Sequence, residues 1–530
     1  MPKDNKIFIY DTTLRDGSQA EGISFSKTDK IRIAQKLDAF GVAYIEGGWP
    51  GSNPKDMAFF EAIKKLKFKN SKIAAFGSTR RAKSPVENDA NIQKLLEAEV
   101  PVTTVFGKAW LLHVNEALRI TPDKNLELIA DSCAYLKDNG REVIFDAEHF
   151  FDGYKDNSKY AIDSILSAAN AGASTIVLCD TNGGSLCSEV SLICDAVRKA
   201  LPDNVRLGIH CHNDGGVAVA NSLLVIEQGV RHIQGTINGI GERCGNADLC
   251  SIIPSIELKM GYHCLPADQL RNLREVSFFV DDLANIRHNP RLPYVGESAF
   301  AHKGGIHVNA VMKNPATYEH TEPESVGNKR RILVSDLSGK DNVISKLAEQ
   351  CIRPGLDDES VRKILAELKR KENLGYEYEA AEASFALMSK KVLNEHDPFF
   401  ELNGFRVIVE KRGHNEPCIS EATVKLSVKG KQEVTAAEGD GPVNALDRAL
   451  RKALRRFYPE ITDIQLKDYK VRILDGDDGT AAKTRVLMES GSGDKTWGTV
   501  GVSENIIEAS WEAMLDSIEY ILYERLAEKK

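Results

Sequence analysis

The first 260 residues or so alternate short apolar, β-branched runs with stretches in which apolar residues recur at helical spacing. The strand-like runs are IFIYDTT, AYIEGG, KIAAFGS, PVTTVFG, EVIFDAEH, STIVLCDTN, VRLGIHCH and HIQGTINGIG. Helical segments such as KTDKIRIAQKLDAFG lie between them, and several end on glycine, a common residue after a helix C-terminus. About eight strand–helix units in roughly 250 residues predict an α/β fold, a (β/α)8 TIM barrel. A doubly wound open sheet is the alternative.

The pattern changes twice beyond this region. We predict that residues 1–265 form the barrel, that 266–395 form a helical linker or lid, and that 396–530 form a separate α+β domain. The linker includes one long charged helical stretch over residues 359–392. In the last region, three short strands followed by a helix occur twice. Such a (βββα)2 repeat predicts a pseudo-two-fold module that binds a small ligand or a partner subunit, or that serves dimerisation alone.

Several polar residues directly follow the apolar parts of the predicted strands. Barrel enzymes build their active sites at the carboxyl ends of the strands, so this one-sided placement predicts an active site there. The residues are Asp16, Glu46, Glu148, Thr181, His210, His212 and Asn238.

The stretch GIHCHNDGG contains the two histidines of this set. Residues two apart on a strand point the same way, so His210 and His212 share one face and Cys211 points into the packing layer. Two imidazoles on one face are consistent with a metal site, although buried histidines are also common as structural residues. A metal also requires oxygen ligands, and DTTLRDGSQ supplies Asp16, beside Arg15, at the end of the first strand. An Asp-Gly turn is the alternative explanation of that motif.

Composition limits the classes of function. The chain has 530 residues and a net charge of −8, with both signs mixed, and this gives no indication of a nucleic-acid partner. No apolar run is long enough to cross a membrane, and the N-terminal residues form no apolar signal core, so we expect a cytoplasmic protein. The ten cysteines form no C-x-x-C pair, which favours reduced thiols.

Three motifs in combination, DTTLRDGSQ, HCHND and GIGERCGN, resemble the 2-isopropylmalate and homocitrate synthase family of metal-dependent barrel enzymes. AHKGGIHVNAV resembles the second region of that family, and EGDGPVNAL with GTVGVSENIIEASWEAM resembles its C-terminal regulatory domain. The resemblance covers nearly the whole chain. The chain departs from it at His149, where relatives often carry an acidic residue, and at Cys244, where the usual residue is small.

The resemblance implies roles for particular residues. A divalent metal, Mg²⁺ or Mn²⁺ with Co²⁺ or Zn²⁺ as alternatives, would be held by Asp16, His210, His212 and Asn246. The substrate-binding residues would be Arg15, Glu46 and Thr181. The catalytic residues would be Arg15, Glu148, His307 and Tyr318, and His307 is preferred over Glu148 as the base.

The implied reaction is a Claisen-type condensation of acetyl-CoA with a 2-oxo acid. Pyruvate is the expected acceptor and 2-oxoisovalerate is the alternative. The resemblance also implies a homodimer that isoleucine inhibits through the C-terminal domain, as an entry step to isoleucine biosynthesis. A hydroxyacyl-CoA lyase or aldolase is less favoured, because such lyases generally lack the (βββα)2 module. A non-catalytic ligand sensor is less favoured as well, since a sensor does not need an arginine beside its metal.

Overall fold

The computed structural model describes residues 5–334, 356–474, 482–493 and 495–527. The chain divides into two compact units. The first consists of Met1–Phe300 with Thr321–Arg330, and the second of Ala301–His320 with Arg331–Lys530.

The first unit is a closed barrel of parallel strands in which each strand pairs with the next along the chain and β8 pairs with β1. The strands are β1 (Phe8–Asp11), β2 (Tyr44–Gly48), β3 (Lys72–Ser78), β4 (Val102–Lys108), β5 (Glu142–Glu148), β6 (Thr175–Asp180), β7 (Arg206–Cys211) and β8 (His232–Gly235). The predicted TIM barrel is confirmed, and the doubly wound alternative is wrong because the sheet has no open edge.

Helices follow the strands of this unit. They are α1 (Lys27–Phe40), α2 (Pro54–Ile63), α3 (Ala90–Glu97), α4 (Pro122–Asp138), α5 (Phe150–Asp156), α6 (Ser158–Asn170), α7 (Cys187–Ala200), α8 (Ala218–Leu224), α9 (Leu249–Lys259) and α10 (Leu273–Ala284). Local chemistry sets their ends. In α1, Ser26 and Asp29 form a reciprocal capping box at the start, and Gly41 adopts the left-handed conformation, φ 98°, at the end.

Alternate strand residues divide between two apolar clusters, because side chains along a strand point to opposite faces. Ile9 and Ile209 belong to the large cluster that packs strands against helices, whereas Tyr10 and Val177 belong to a smaller cluster formed by strand residues. The smaller cluster fills the barrel interior. The inward residues nearer the carboxyl ends are polar and form the floor of the candidate site.

The second unit begins with a short parallel pair, β9 (Ala301–His302) and β10 (Arg331–Ile332), and with α11 (Gly305–Lys313). Two helices follow, α12 (Asp358–Asn373) and α13 (Glu382–Val392). The predicted single helical stretch over 359–392 is therefore wrong. The chain leaves α12 through Gly375, whose φ of 105° lies in the left-handed region, and Tyr378 and Ala381 then enter the apolar core of this unit.

The rest of this unit contains the predicted repeat. The first copy is β11 (Glu401–Glu410), β12 (Ile419–Val428), β13 (Lys431–Gly439) and α14 (Pro442–Leu454). The second copy is β14 (Gln465–Ile473), β15 (Thr484–Ser492), β16 (Lys495–Ser503) and α15 (Ile506–Ala527). Each set of strands forms an antiparallel three-stranded sheet, so the (βββα)2 prediction is confirmed. Glycine allows close packing here, since a Cβ on Gly501 would lie 2.0 Å from the carbonyl oxygen of Ala509.

Among the described residues, none of the helices is both long enough and apolar enough to cross a membrane.

Candidate active site

Arg15 is held rigidly at the carboxyl end of β1. Its Nε donates to Glu46 Oε2 at 2.6 Å, and its Nη1 donates to Asp16 Oδ2 at 2.8 Å. The guanidinium lies 3.8 Å from the centroid of the Phe76 ring, and 13% of the side chain is exposed. No acceptor for Nη2 occurs among the described residues, so Arg15 retains a donor for a bound molecule.

Glu46 is completely buried beneath Arg15. Tyr10 donates to its Oε1 at 2.6 Å, and the Thr12 hydroxyl donates to its Oε2. A buried carboxylate needs such donors, because leaving it unpaired would cost several kcal/mol. Since the side chain has no exposed surface, its observed contacts are with the protein, and it orients Arg15.

Asp16, His210 and His212 form a buried cluster. Their potential ligand atoms all lie within 4.8 Å of one another, and each imidazole Nε2 is 3.8 Å from Asp16 Oδ2. Cys211 lies in the outer apolar core, as strand alternation predicts. The cluster can hold a divalent cation.

The surroundings keep these imidazoles neutral. Burial lowers the pKa of His210, and it lowers the pKa of His212 to about 4. His210 Nδ1 is 2.9 Å from Gln234 Oε1, an acceptor, so Nδ1 carries the proton and Nε2 faces Asp16. Although burial would raise the pKa of Asp16, the Arg15 guanidinium and the hydrogen bond from Asn246 hold it well below its usual range. Neutral imidazoles and an ionised carboxylate are the forms that bind metals.

Asn246 reaches the cluster through a tight loop. Its backbone pairs with His212 in an isolated bridge, and its Nδ2 donates to Asp16 Oδ1 at 2.9 Å. Its buried Oδ1 has no partner among the described residues, so a further oxygen is available to a cation. The loop requires glycine, because a Cβ on Gly241 would lie 2.1 Å from Asn246 Nδ2, and one on Gly245 would lie 2.0 Å from the Gly239 carbonyl oxygen. The GIGERCGN motif therefore has a steric basis.

Glu148 and Thr181 lie at the ends of β5 and β6. Glu148 forms an ion pair with Lys108 at the end of β4. The Thr181 hydroxyl accepts a 2.8 Å hydrogen bond from the backbone N–H of His149, and the His149 ring is in turn 2.9 Å from Asp152.

His307 and Tyr318 belong to the second unit. Their rings stack with centroids 4.2 Å apart, and both side chains are exposed. The structure thus brings these two residues together, and the remaining predicted residues together at the barrel mouth. The roles inferred for them from the resemblance remain predictions.

Three residues of the site were not predicted from the sequence: Gln234, Asp146 and Lys108. Gln234 links His210 to Asp146, to which it donates at 3.0 Å, and burial raises the pKa of Asp146 to about 8. Gln234 and Asp146 could have been found from the sequence, because each is a polar residue within an otherwise apolar strand. Only strand register brings Lys108 opposite Glu148.

Comparison with known families agrees with this architecture. The chain matches the HMGL-like family over residues 6–280, the homocitrate synthase post-HMGL domain-like family over 294–375, and the LeuA allosteric (dimerisation) domain over 379–522. A hydroxymethylglutaryl-CoA lyase structure from Pseudomonas aeruginosa is 18% identical, with a TM-score of 0.47, and covers 55% of this chain and 97% of that one. The family matches alone define the class: an HMGL-like barrel enzyme with a LeuA allosteric (dimerisation) domain.

Curated relatives identify the family within this class. The chain is 57% identical to an (R)-citramalate synthase of Geobacter sulfurreducens and 54% identical to one of Aquifex aeolicus, each over 98% of both chains. A 2-isopropylmalate synthase of Methanocaldococcus jannaschii is 33% identical over 98% of this chain and 96% of that protein. The chain belongs to the (R)-citramalate synthase family.

Replacement of the clustered ligands should remove metal binding. We expect Asp16→Asn and His212→Ala to weaken Mn²⁺ binding more than about 100-fold, because loss even of a residue behind a ligand costs about 10–100-fold. Equilibrium dialysis followed by metal analysis measures this. His263→Ala, which removes an imidazole whose side chain is 74% exposed, should bind Mn²⁺ like the wild type. Wild-type affinity in either cluster variant would contradict the assignment.

Proposed function

We propose that this protein condenses acetyl-CoA with pyruvate and water to give (R)-citramalate and CoA. The observation that carries the proposal is the partly buried Arg15 beside the Asp16–His210–His212 cluster, in a chain that matches (R)-citramalate synthases along nearly its full length. In this reaction the acetyl methyl group loses a proton, the resulting carbanion attacks the keto carbon, and water then cleaves the thioester.

The donor set fits a divalent metal. We assign Asp16, His210, His212 and the unpartnered Oδ1 of Asn246 as its ligands. Two imidazoles with oxygen donors suit Mg²⁺, Mn²⁺, Co²⁺ or Zn²⁺. When bound, such an ion supplies a Lewis acid that polarises the keto group and orients the oxo acid.

Arg15 would stabilise the alkoxide that develops on the keto oxygen. Its charge is permanent, and Glu46 and Phe76 fix its plane before substrate arrives, so no reorganisation is needed during the reaction. Thr181, which directly follows β6 next to the β7 strand of His210, would line the oxo acid.

We assign His307 as the base that removes the methyl proton, with Tyr318 stacked on it to orient the ring. Histidine is the side chain that most often accepts a proton in general base catalysis. Glu148 is the less suitable candidate, because its carboxylate is already engaged in an ion pair with Lys108.

The second unit would carry regulation. We propose that it forms the homodimer and binds isoleucine, the end product of a pathway that this reaction would open. The match to the LeuA allosteric (dimerisation) domain supports this role. A cavity of about 330 Å³ between α14 and α15 combines apolar side chains such as Val443, Met488 and Ile518 with Asn444 and Asp447. That lining suits an aliphatic amino acid.

The acceptor can be tested directly. Purified protein with Mn²⁺ and acetyl-CoA should release free thiol fastest with pyruvate, compared with 2-oxobutyrate, 2-oxoisovalerate and 2-oxoglutarate. Fastest release with 2-oxoisovalerate would instead indicate a 2-isopropylmalate synthase. Release with none of the four would contradict the synthase proposal.

The base assignment predicts a difference between two variants. His307→Ala should slow thiol release about 10²- to 10⁴-fold, the usual contribution of a positioned base, and added imidazole should restore part of it. Glu148→Gln should be less impaired. His414→Ala, which alters an exposed histidine after β11, is the control. The reverse order, with Glu148→Gln the slower enzyme, would contradict the assignment.

The regulatory assignment predicts that Val443→Trp, which fills the 330 Å³ cavity, abolishes inhibition by isoleucine and leaves kcat without isoleucine near the wild-type value. Initial rates over a range of isoleucine concentrations measure this. Val434→Trp adds the same ring at an exposed position on β13 and should keep the inhibition. Inhibition that survives Val443→Trp would place the effector elsewhere.

A further inference from the structure

The two rings assigned to proton removal lie on the surface of the second unit. His307 and Tyr318 are both exposed, and the exposed fraction of Tyr318 is 46%. Their rings nevertheless stack, with centroids 4.2 Å apart and planes inclined by 27°. A stacked pair of this kind on the surface contributes little stability by itself. The chain on either side of each residue must therefore keep the two rings together.

The helix α11 fixes the backbone of His307. Val308 and Val311 on this helix are buried, which anchors it, and His307 lies in its first turn. Gly304 directly precedes the helix, and a Cβ on that residue would lie 3.8 Å from His307 Cγ. The imidazole therefore rests against the chain at the start of its own helix.

Tyr318 returns to His307 through a tight turn after α11. The Pro315 carbonyl oxygen accepts hydrogen bonds from the N–H of Tyr318 at 3.1 Å and from the N–H of Glu319 at 3.0 Å. The two neighbouring side chains then diverge. Tyr318 lies outward on His307, whereas only 3% of the Glu319 side chain is exposed. The position of the exposed ring thus depends on how the buried carboxylate beside it is held.

A buried hydrogen-bonded pair holds that carboxylate. His302 Nε2 lies 3.0 Å from Glu319 Oε1, and 11% of the His302 side chain is exposed. His302 is itself fixed in β9, which pairs with β10, and its carbonyl oxygen accepts from the N–H of Leu333 at 2.9 Å. The pair therefore joins the two ends of residues 302–319, the segment that carries both rings. Removing one partner would leave the other buried without this contact, a costly state that favours rearrangement.

We propose that His302 and Glu319 are positioning residues for the reaction, and that their buried pair closes the segment 302–319 and so holds Tyr318 on His307. Glu319 acts through its neighbour Tyr318, and His302 acts through Glu319. The inference rests on the proposed function, because it assigns the two residues a role toward the base of that reaction.

The first test measures thiol release with acetyl-CoA and pyruvate. In Glu319→Ala, kcat should fall by up to about 100-fold with both KM values little changed, since a small displacement of a catalytic group costs up to that factor. Glu319→Gln keeps an oxygen that can accept from His302, so it should recover most of the loss. Glu322→Ala, which removes an exposed carboxylate three residues further on, is the matched control and should behave like the wild type.

The second test repeats the substitution in a His307→Ala background. Glu319→Ala should have no further effect on kcat there, because the pair acts only through the base that is already missing. A loss of the same size in both backgrounds would show that the pair only stabilises the fold, and it would overturn the inference. An unchanged kcat in Glu319→Ala alone would overturn it as well.

A second variant keeps the comparison possible if Glu319→Ala does not fold. His302→Phe/Glu319→Leu removes the hydrogen bond and leaves no buried polar group unpaired, so the fold should tolerate it. It should show the same loss of kcat as expected for Glu319→Ala, and the same absence of effect in the His307→Ala background. Wild-type kcat in this double variant would contradict the positioning role.

Nuclear magnetic resonance separates this inference from the proposed function. If the wild type releases no thiol with any oxo acid, the proposed function fails, but the Tyr318 ring still shifts the imidazole proton signal of His307. That signal is identified by its absence in His307→Ala. Glu319→Ala should move it to the position seen in Tyr318→Ala, whereas a signal at the wild-type position would show that the pair does not hold the stack.

Discussion

The partial burial of the Arg15 guanidinium, whose side chain is 13% exposed, is the constraint on which the rest of the site depends. A buried charge costs several kcal/mol unless it is paired with good geometry, and Arg15 is paired with two carboxylates, Glu46 and Asp16. Glu46 is itself buried, so it requires donors of its own, which Tyr10 and Thr12 provide. The charge of Arg15 at the barrel mouth thus requires Glu46 below it, and Glu46 in turn requires the hydroxyl donors of Tyr10 and Thr12.

The two carboxylates that pair with Arg15, Glu46 and Asp16, have different roles. Glu46 is enclosed by protein donors and orients Arg15 from below. Asp16 contacts Arg15 with Oδ2, and that same oxygen lies 3.8 Å from the Nε2 atoms of His210 and His212. Asp16 therefore links the fixed positive charge of Arg15 to the two histidines. The two carboxylates are not interchangeable, although both lie beside Arg15.

Sequence reasoning succeeded where a local rule decides the outcome. Strand alternation predicted that His210 and His212 share a face, and the apolar run KIAAFGS coincides with β3. It failed where a distant neighbour decides. The substrate-binding role expected for Glu46 remains a prediction, whereas its complete burial, which depends on a donor from another strand, was not foreseen. The break after α12 depends on core packing, which the regular charge pattern of 359–392 does not reveal.

The charge balance of the cluster supports a cation and an anionic substrate as its natural occupants. Lowered pKa values keep both histidines uncharged, so Arg15, Asp16 and Glu46 leave one net negative charge in a buried site. Burial raises the pKa of Asp146 to about 8, so this acid is largely protonated at neutral pH and adds little charge. A divalent cation would reverse the sign of the site, and a singly charged oxo acid would then make it neutral. Neither the cation alone nor the oxo acid alone would make the site neutral. Electrostatics would therefore make the binding of each favour the binding of the other.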